Sequence, residues 1–506
     1  MLHLYDTRAR SQVPIEPSQP GRLSLYACGP TVYRDAHVGN LRSFMLADLI
    51  SRTAKARGLA VTVVQNITDV GHMLDDTGLG TDSVSGGLGH AGQDRMLAAA
   101  QQEGGTALAI ARRYEAGFKR DCELLGITPA SHYPRASECI DSMVAIITKL
   151  IDSGHAYVGD DGSVFFDARS FPSYGAISGN RLDALRPGHR FDGESDPNKR
   201  FHADWALWKA APATRTQLVW DTSLGRGFPG WHIECTAMLL GFLGEQVDIH
   251  TGGIDLRFPH HEDERAQTES VVGHEVVRHW VHAEHLLFEG RKMSKSAGNV
   301  VLLSDVVARG FSPRALRLAF LEQHYRTQVD LSWDAIAAAH RLLTRWRGIV
   351  ADAQRASAGV GDESAVVAVE TARQANRTSG QTDGGSGADA VERVVTSVLE
   401  AFENDLNTAL AIRILRDFER SDAPLQFKAA ALRACDDLLG LDLDSPTAAG
   451  LPLEVPADAE HLLHLREQAR TSRQWAEADA IRDQLLELGW VVTDTAQGQR
   501  LSSAQR

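Results

Sequence analysis

The spacing of apolar residues near the start of the chain indicates a strand, a helix and a second strand. Residues 23–27 (LSLYA) alternate as a strand does, and a Gly29-Pro30 turn follows. Apolar residues recur at helical spacing over residues 41–50, and residues 61–67 form a second apolar run typical of a buried strand. This order predicts a βαβ unit of a parallel sheet, with ligands at the carboxyl ends of its strands.

Later in the chain, periodic segments alternate with stretches rich in glycine. Residues 80–105 are rich in Gly and small polar residues and predict a mobile excursion before a helix at about 107–125. The low-complexity stretch 352–390 predicts an insertion or linker. Helical periodicity returns at 391–415, 427–439, 459–470 and 476–488, and a short apolar run follows at 490–492.

Length and composition predict a multidomain protein of the cytoplasm. The 506 residues exceed the usual domain size of roughly 100 to 200 residues, so three or four packed units are expected. No apolar run approaches the ~20 residues of a membrane span, which argues against a membrane protein. The first residues, MLHLYDTRAR, lack the pattern of a secretory signal, and the cytoplasm is therefore the expected location.

The cysteine content and the net charge restrict which metal, disulfide and nucleic-acid interactions are expected. The five cysteines, an odd number without regular spacing, argue against a disulfide framework and leave thiols free to bind a metal. The formal net charge of -14 is unfavourable for general phosphate binding. Any contact with RNA is therefore expected to be local and directed by shape.

The most specific short motif is the KMSKS pentamer at 292–296. Lys292 and Lys295 place two ammonium groups on one loop with the hydroxyl of Ser296, and such a loop can stabilise charge on a triphosphate as pyrophosphate leaves. The alternative interpretation is a solvated basic turn.

The tetrapeptide HVGN at 37–40 lies between the first strand and its helix. Gly39 permits close approach of the backbone, while His37, Asn40 and the helix N-terminus can donate hydrogen bonds to phosphate oxygens. Alone, a histidine before a helix is more often a capping or packing residue than a functional one. Together with the KMSKS loop, the tetrapeptide resembles the HIGH element of class I aminoacyl-tRNA synthetases, with Asn as its last residue.

Four residues have the chemistry of a metal site. His260 and Glu264 share one face of a predicted helix, and Cys28 and Cys235 can add two thiolates. Sulfur ligands together with imidazole favour zinc among the common metals. Isolated buried cysteines are also common without a metal, so both interpretations stay open here.

Read with their neighbours, these motifs resemble bacterial cysteinyl-tRNA synthetases over nearly the whole chain. The matching segments are YACGPTVY at 26–33, NITDVGH at 66–72, GWHIEC at 230–235, FPHHEDE at 258–264 and the KMSKS loop. The resemblance implies an α/β fold: a class I Rossmann-type catalytic domain with an inserted connective region, a stem-contact fold, an α-helical bundle and a small C-terminal anticodon-binding domain.

The resemblance also implies where the domains lie. The two halves of the Rossmann domain are expected at 1–130 and 216–285, separated by the connective insertion at 131–215. The KMSKS loop and stem-contact fold are expected at 286–340, the helical bundle at 341–450 with its low-complexity segment at 352–390, and the anticodon domain at 455–506. A monomer is expected from the family.

The same resemblance assigns ligands and substrates. It implies one zinc held by Cys28, Cys235, His260 and Glu264, and this zinc binds the thiolate of the substrate L-cysteine. Because zinc binds a soft thiolate more readily than a hydroxyl, the metal is expected to favour cysteine over serine. The residues implied to line the cysteine pocket are Gly29, Thr68, His72, Trp231 and His250.

ATP, bound with magnesium, is the implied second substrate. Residues 248–255 (DIHTGGID) are similar to the family's glycine-rich nucleotide segment, which assigns Gly252, Gly253 and Asp255 to ATP. His37, Gly39, Asn40, Lys292, Lys295 and Ser296 complete the implied ATP site, and His37, Asn40, Lys292 and Lys295 are its implied catalytic residues. Thr251 replaces the usual first glycine.

The C-terminal segment is similar to the family's anticodon-reading module for tRNA(Cys). Arg470, Trp475, Asp479 and Asp494 stand at its base-contacting positions. An indole and a guanidinium suit stacking on unpaired bases, and carboxylates accept hydrogen bonds from exocyclic amines. Without the resemblance, a helical hairpin with Trp475 in its core would be the preferred interpretation.

Two other functions remain as alternatives. A paralogue resembling the mycothiol-pathway ligase makes the same cysteinyl-adenylate and delivers it to an amino sugar, but such relatives lack the C-terminal module. A cysteine-binding or RNA-binding protein without turnover is the second alternative, which the intact Lys295, His37 and metal-ligand set disfavour.

Overall fold

A computed structural model describes residues 1–70, 94–185, 197–293, 299–358, 386–445, 457–472, 474–487, 490–495 and 498–503. The strands are β1 His3–Asp6, β2 Ser11–Pro14, β3 Arg22–Ala27, β4 Ala60–Gln65, β5 Ala156–Val158, β6 Val164–Phe166, β7 Trp205–Ala210, β8 Trp220–Thr222, β9 Gly225–Pro229, β10 Val247–Gly253, β11 Val277–Ala283, β12 Leu286–Phe288, β13 Arg291–Lys292, β14 Val329–Leu331, β15 Trp490–Thr495 and β16 Gly498–Ser503. The helices are α1 Val38–Ala56, α2 Arg95–Glu103, α3 Ala107–Leu125, α4 Ile140–Asp152, α5 Trp231–Leu243, α6 His260–Val272, α7 Leu303–Ala308, α8 Pro313–Leu321, α9 Trp333–Ala358, α10 Ser386–Glu403, α11 Thr408–Arg420, α12 Leu425–Leu439, α13 Ala457–Thr471 and α14 Trp475–Glu487.

A four-stranded parallel sheet in the order β11-β10-β3-β4 carries the centre of the fold. Its strands are mostly buried, as expected when both faces of a parallel sheet are covered. Helix α1 connects β3 to β4 and packs on both, which confirms the predicted βαβ unit. The helix predicted at about 107–125 is also confirmed, as α3.

A five-stranded antiparallel sheet in the order β5-β6-β7-β9-β8 lies between β4 and β10 in the sequence. Its side chains join a buried cluster that also contains Tyr26, Cys28 and Cys235. The strands β8 and β9 follow residue 215, the expected end of the connective insertion, and belong to the same sheet. The antiparallel sheet therefore packs beside the residues predicted to bind a metal.

The helices after β13 share a buried core with helix α1, and one of them is joined to α1 by a buried ion pair. Helix α12 packs against both α9 and α10. Arg317 of α8 is fully buried, and its guanidinium donates to Asp48 of α1 at 2.7 Å and to the carbonyl oxygen of Gly126 at 3.0 Å. A buried pair satisfied in this way is costly to break, so it fixes α8 against α1.

Two local expectations from the sequence are wrong. The helical stretch predicted at 391–415 is two helices, α10 and α11, because Asp405 and Leu406 between them have positive φ. The Asp405 carboxylate accepts hydrogen bonds from Arg326 at 2.7 Å and from the hydroxyl of Tyr325 at 2.5 Å, which stabilises this turn.

Part of the excursion predicted at 80–105 is instead helix α2. The Asp94 side chain caps this helix by accepting from the backbone N–H groups of Met96 and Leu97, and Met96, Ala99 and Ala100 are buried. Its short helical pattern was overlooked beside the glycines around it. Residues 80–93 lie outside the described residues.

The C-terminal segment forms two helices and a hairpin with a small core of their own. Strands β15 and β16 pair antiparallel, and Ile481, Leu485, Leu462, Leu465 and Val492 pack together. Among the described residues, no helix is both long enough and apolar enough to cross a membrane.

Candidate active site

The four residues predicted to bind a metal lie together in the structure. Cys28 follows β3, Cys235 lies on α5, and His260 and Glu264 lie one turn apart on α6. Each side chain has one ligand atom within 4.8 Å of those of the other three, and all four residues are buried. Three distant parts of the chain therefore bring together two thiols, an imidazole and a carboxylate.

Backbone contacts position the two cysteines. The N–H of Cys28 donates to the carbonyl oxygen of Thr251 at 3.0 Å, so Cys28 stays attached to β10 after β3 ends. A Cβ at Gly230, just before α5, would lie 1.9 Å from the carbonyl oxygen of Ala206 in β7. Glycine therefore allows α5 to begin close to β7, which brings Cys235 to the cluster.

The ionisable groups of the cluster influence one another strongly. Burial raises the pKa of Cys28 well above its usual value, whereas a hydrogen bond with Cys28 lowers the pKa of Cys235. Burial opposes the charged form of His260, but Glu264 and Cys235 raise the pKa of this imidazole to about 10. Burial opposes the charged form of Glu264 as well, but His250 and His260 lower its pKa to about 2. The anionic groups thus stabilise positive charge at this point, as ligands of a cation do.

Neighbouring side chains fix the ring of His260. Its Nδ1 lies 2.8 Å from Nδ1 of His232, and Nε2 of His232 lies 3.2 Å from the carboxylate of Asp263. The Trp231 ring stacks on His260 with centroids 4.1 Å apart. Nε2 of His260 lies 2.9 Å from Glu264 and is therefore the nitrogen directed at the cluster.

His261, which the sequence pattern did not single out, lies beside the same ligands. Cys28, His250, His261 and Glu264 form a second set of ligand atoms within 4.8 Å of one another. His261 Nε2 lies 3.3 Å from the Cys28 sulfur, and burial lowers the pKa of His261 well below its usual value, which keeps this ring neutral. The double histidine at 260–261 was the available signal for this residue.

His282 and Thr7 extend this contact into the core. His261 Nδ1 lies 2.8 Å from Nε2 of His282, and Nδ1 of His282 lies 2.7 Å from the Thr7 hydroxyl oxygen. Burial lowers the pKa of His282 to about 3. Nothing in the sequence relates these three residues, because only the fold brings β11 and the residue after β1 to α6.

The structure places four of the five predicted cysteine-pocket residues around the cluster. Gly29 follows Cys28, and its N–H donates to the side-chain oxygen of Asn66 at 2.8 Å. Thr68 is buried and accepts from the Asn66 amide at 3.1 Å, and its backbone bonds with Pro30 and Val32 hold the loop after Cys28.

Trp231 and His250 lie on the other sides of the ligands. Trp231 covers His260, and His250 Nε2 lies 3.0 Å from the Glu264 carboxylate. His72, the fifth predicted pocket residue, lies outside the described residues.

The HVGN tetrapeptide meets the two ends of the KMSKS loop. His37 is the N-cap of α1: its Nδ1 accepts from the N–H of Asn40, whose side-chain oxygen accepts from the N–H of His37. The capping interpretation therefore holds for these two residues. A Cβ at Gly39 would lie 2.9 Å from the end of the Met293 side chain, and the N–H of Val38 donates to the carbonyl oxygen of Val301 at 2.9 Å.

The remaining predicted ATP residues lie at two places. Gly252 and Gly253 end β10, and a Cβ at Gly252 would lie 2.8 Å from the His261 ring. Asp255 follows them and is exposed. Lys292 is exposed on β13, and its carbonyl oxygen accepts from the Asn299 side chain at 3.0 Å. Lys295 and Ser296 lie outside the described residues.

Trp475 is exposed rather than a core residue of its helical hairpin. Its side chain is 58% exposed, and the guanidinium of Arg470 lies 5.9 Å from its ring centroid. Asp479 is exposed one turn further along α14 and lies 3.3 Å from Arg482. Asp494 lies on β15, opposite Gln499 of β16.

Two family models match the chain. The model of the tRNA synthetases class I (C) catalytic domain matches residues 14–77 and 92–341. The model of the cysteinyl-tRNA ligase anticodon binding domain matches residues 454–501. Together they cover the sheet, the metal-like cluster and the C-terminal module.

Curated proteins similar to this chain are cysteine–tRNA ligases. One from Thermus thermophilus is 37% identical over 521 residues, covering 99% of this chain and 98% of its own. One from Treponema pallidum is 37% identical, with 98% of each chain covered, and cysteine–tRNA ligase 1 of Burkholderia lata is 38% identical, with 99% and 96% covered.

Solved structures that resemble this one are class I synthetases of other specificity. A LeuRS–tRNA–LeuAMS ternary complex from Agrobacterium radiobacter has a TM-score of 0.53 at 12% identity, with 84% of each chain covered. Methionyl-tRNA synthetase of Mycobacterium tuberculosis in complex with methionyl-adenylate has a TM-score of 0.50 at 15% identity, with 90% of this chain and 96% of its own covered. These likenesses confirm the predicted fold class, and with the full-length relatives they show that the chain belongs to the cysteine–tRNA ligase family of class I aminoacyl-tRNA synthetases.

Proposed function

We propose that this protein activates L-cysteine with ATP and magnesium as cysteinyl-adenylate and transfers the cysteine to the 3′ end of tRNA(Cys). The observation that carries the proposal is the cluster of two thiols, an imidazole and a carboxylate at the end of the parallel sheet, in a chain that also contains the anticodon module. The protein is proposed to act as a monomer in the cytoplasm.

The cluster fits one zinc ion held by Cys28, Cys235, His260 and Glu264. Two thiolates and an imidazole are ligands that zinc prefers, and the second nitrogen of His260 is engaged by His232, as is usual for metal-binding histidines. Zinc bound there would supply a cation that prefers a thiolate to a hydroxyl, which would favour cysteine over serine as the substrate. Gly29, Thr68, Trp231, His72 and His250 are proposed to line the pocket around that substrate.

The adenylation step uses the junction of HVGN and KMSKS. His37, Gly39 and Asn40 stand at the N-terminus of α1, where the helix favours phosphate, and Met293 from the other motif contacts the same point. Lys292, Lys295 and Ser296 are proposed to stabilise the charge that develops on the leaving pyrophosphate. Gly252 and Gly253 are proposed to bind the nucleotide, and Asp255 is proposed to accept a hydrogen bond from its ribose.

The C-terminal module is proposed to read the anticodon through Arg470, Trp475, Asp479 and Asp494. The exposed Trp475 ring with a guanidinium beside it offers a flat surface for stacking, which suits unpaired RNA bases. This module also argues against delivery of the adenylate to an amino sugar, because the ligases that do so lack it.

Pyrophosphate exchange and tRNA charging test the proposed function. Incubation with cysteine, ATP and labelled pyrophosphate is expected to show exchange, and addition of tRNA(Cys) is expected to yield charged tRNA. Exchange without charging would favour the amino-sugar ligase. Absence of both activities would favour a binding protein.

The metal assignment predicts one zinc per chain that depends on Cys235. Replacing this thiol by the harder hydroxyl in Cys235→Ser is expected to abolish stoichiometric zinc, as measured by elemental analysis of the purified protein. Cys435→Ser is the matched control, since Cys435 is equally buried but lies on α12 in the helical bundle. Full retention of zinc by Cys235→Ser, or absence of stoichiometric zinc from the metal-replete native protein, would contradict the assignment.

A further inference from the structure

Arg42, on helix α1, is a buried residue that joins this helix to two distant segments of the chain. Only 4% of its surface is exposed. One terminal nitrogen of its guanidinium donates to the carbonyl oxygen of Glu284 at 2.6 Å. The other lies 3.0 Å from the carbonyl oxygens of His324 and Thr327 and 3.3 Å from that of Tyr325. Burying a positive charge is costly unless it is hydrogen-bonded, and these backbone oxygens supply such bonds.

The two segments are the starts of neighbouring strands in the small sheet of order β13-β12-β14. Glu284 lies two residues before β12, and Thr327 lies two residues before β14. Strands β12 and β14 are parallel, and β12 also pairs with β13, where Leu287 lies opposite Lys292. Arg42 therefore fixes, relative to α1, the point at which the strand paired with Lys292 begins.

The N-terminus of the same helix carries the other half of the proposed adenylation site. His37 caps α1, and Asn40 lies in its first turn, two residues before Arg42. We propose that Arg42 is a positioning residue for the adenylation step, which holds the strands next to Lys292 at a fixed place relative to His37 and Asn40. The inference rests on the proposed function, because that function assigns the phosphates of ATP to both motifs.

The planar guanidinium is what allows one side chain to hold both strands. It presents its donors in a rigid fork, whereas the ammonium group of a lysine is a compact charge on a flexible stem. Arg42→Lys therefore keeps the charge but loses the fixed spacing between α1 and the two strands. Single-turnover formation of cysteinyl-adenylate is expected to slow about 10- to 100-fold, because a misplacement of roughly 1 Å can cost this much. The KM for ATP and the KM for cysteine are expected to stay nearly unchanged, since the proposed role of Lys292 belongs to the transition state.

Arg347→Lys is the matched control for the loss of a buried guanidinium. Arg347 is also buried, and its guanidinium donates to the backbone carbonyl oxygens of Leu441 at 2.9 Å and Asp442 at 3.1 Å in the helical bundle. Both variants are expected to lower the Tm, but only Arg42→Lys is expected to slow the formation of cysteinyl-adenylate. Equal adenylation rates for the two variants would overturn the inference.

A double variant with Lys292→Ala shows whether Arg42 acts through the KMSKS motif. If Arg42 positions Lys292, Arg42→Lys has less left to disturb once that ammonium group is gone. The loss of rate in the double variant is then expected to be smaller than the product of the two single losses. Residues that affect the rate independently give that product, so a double variant whose loss equals the product would overturn the inference.

The remaining outcomes separate this inference from the proposed function. A native protein that forms no cysteinyl-adenylate would overturn the proposed function and the inference with it. Adenylate formation by the native protein together with an unchanged rate for Lys292→Ala would leave that function standing and overturn the role of Arg42. If Arg42→Lys fails to fold, Arg42→Gln, which removes the buried charge and keeps an amide donor, takes its place. Failure of both variants to fold would show that Arg42 serves stability alone and would overturn the inference.

Discussion

Lys295→Ala is expected to slow the formation of cysteinyl-adenylate by about 10² to 10⁴ while leaving cysteine affinity nearly unchanged. This is the size of effect found when one preorganised donor to a transition-state charge is removed. The segments on both sides of Lys295 lie beside the N-terminus of α1: the end of the Met293 side chain lies 2.9 Å from where a Cβ on Gly39 would stand, and the carbonyl oxygen of Val301 accepts from the N–H of Val38. We therefore expect the ammonium group of Lys295 to act on the departing pyrophosphate.

Single-turnover measurement of adenylate formation, with separate determination of cysteine and ATP affinity, tests this prediction. Lys295→Arg is the conservative variant and is expected to recover part of the rate, since it keeps the charge but changes the geometry of the donors. Lys149→Ala removes an exposed lysine on helix α4, outside the two motifs, and is expected to leave the adenylation rate unchanged. An adenylation rate unaffected by Lys295→Ala would place this lysine outside the chemistry.

The central features of the fold could be predicted because they follow from local pattern. The alternation at 23–27, the helical spacing at 41–50 and the apolar run at 61–67 each specify an element, and a helix that connects two strands leaves a parallel sheet as the simple arrangement. The break between α10 and α11 could not be predicted in the same way. It depends on Arg326 and Tyr325, which contact Asp405 only after the chain has folded.

For the metal-like cluster, too, some residues could be predicted from local pattern and others could not. His260 and Glu264 could be predicted from their spacing on one helix, and Cys28 and Cys235 from their chemistry and from the resemblance to the family. His282 and Thr7 were not, because a histidine in a strand and a threonine after a hairpin strand carry no signal of their own. Their contacts with His261 and with each other depend on the fold, which places β11 and the residue after β1 beside α6.

Trp475 shows how exposure changes the interpretation of a residue. In the sequence, a tryptophan at the start of an amphipathic helix most often belongs to the core, and only the resemblance to an anticodon module opposed that interpretation. In the structure, Ile481 and Leu485 fill the core of the hairpin while the indole is exposed. In the free protein the exposed indole leaves apolar surface in contact with water, which is unfavourable. A base stacked on the ring would bury that surface.

Removal of the segment after residue 455 is expected to abolish most tRNA charging while leaving pyrophosphate exchange almost unchanged. The removed helices and hairpin have their own small core, separate from the two large clusters around the parallel sheet. The truncation is therefore expected to leave the packing of the catalytic core unchanged. If two or three anticodon bases are each bound with about 1 to 3 kcal/mol, charging should fall at least tenfold.

Trp475→Ala refines this test without removing any element of structure. Because the indole is exposed, the variant is expected to fold as the native protein does, and the loss of one stacked base should reduce kcat/KM for tRNA by about 5- to 150-fold at unchanged exchange. Phe242→Ala is the matched control, since this aromatic side chain is also exposed but lies on α5, outside the module. Equal tRNA charging by the truncated and full-length proteins would refute anticodon reading by this module. Equal loss of exchange and charging in the truncated protein would instead show that the truncation damages the catalytic core, and Trp475→Ala would then decide the question alone.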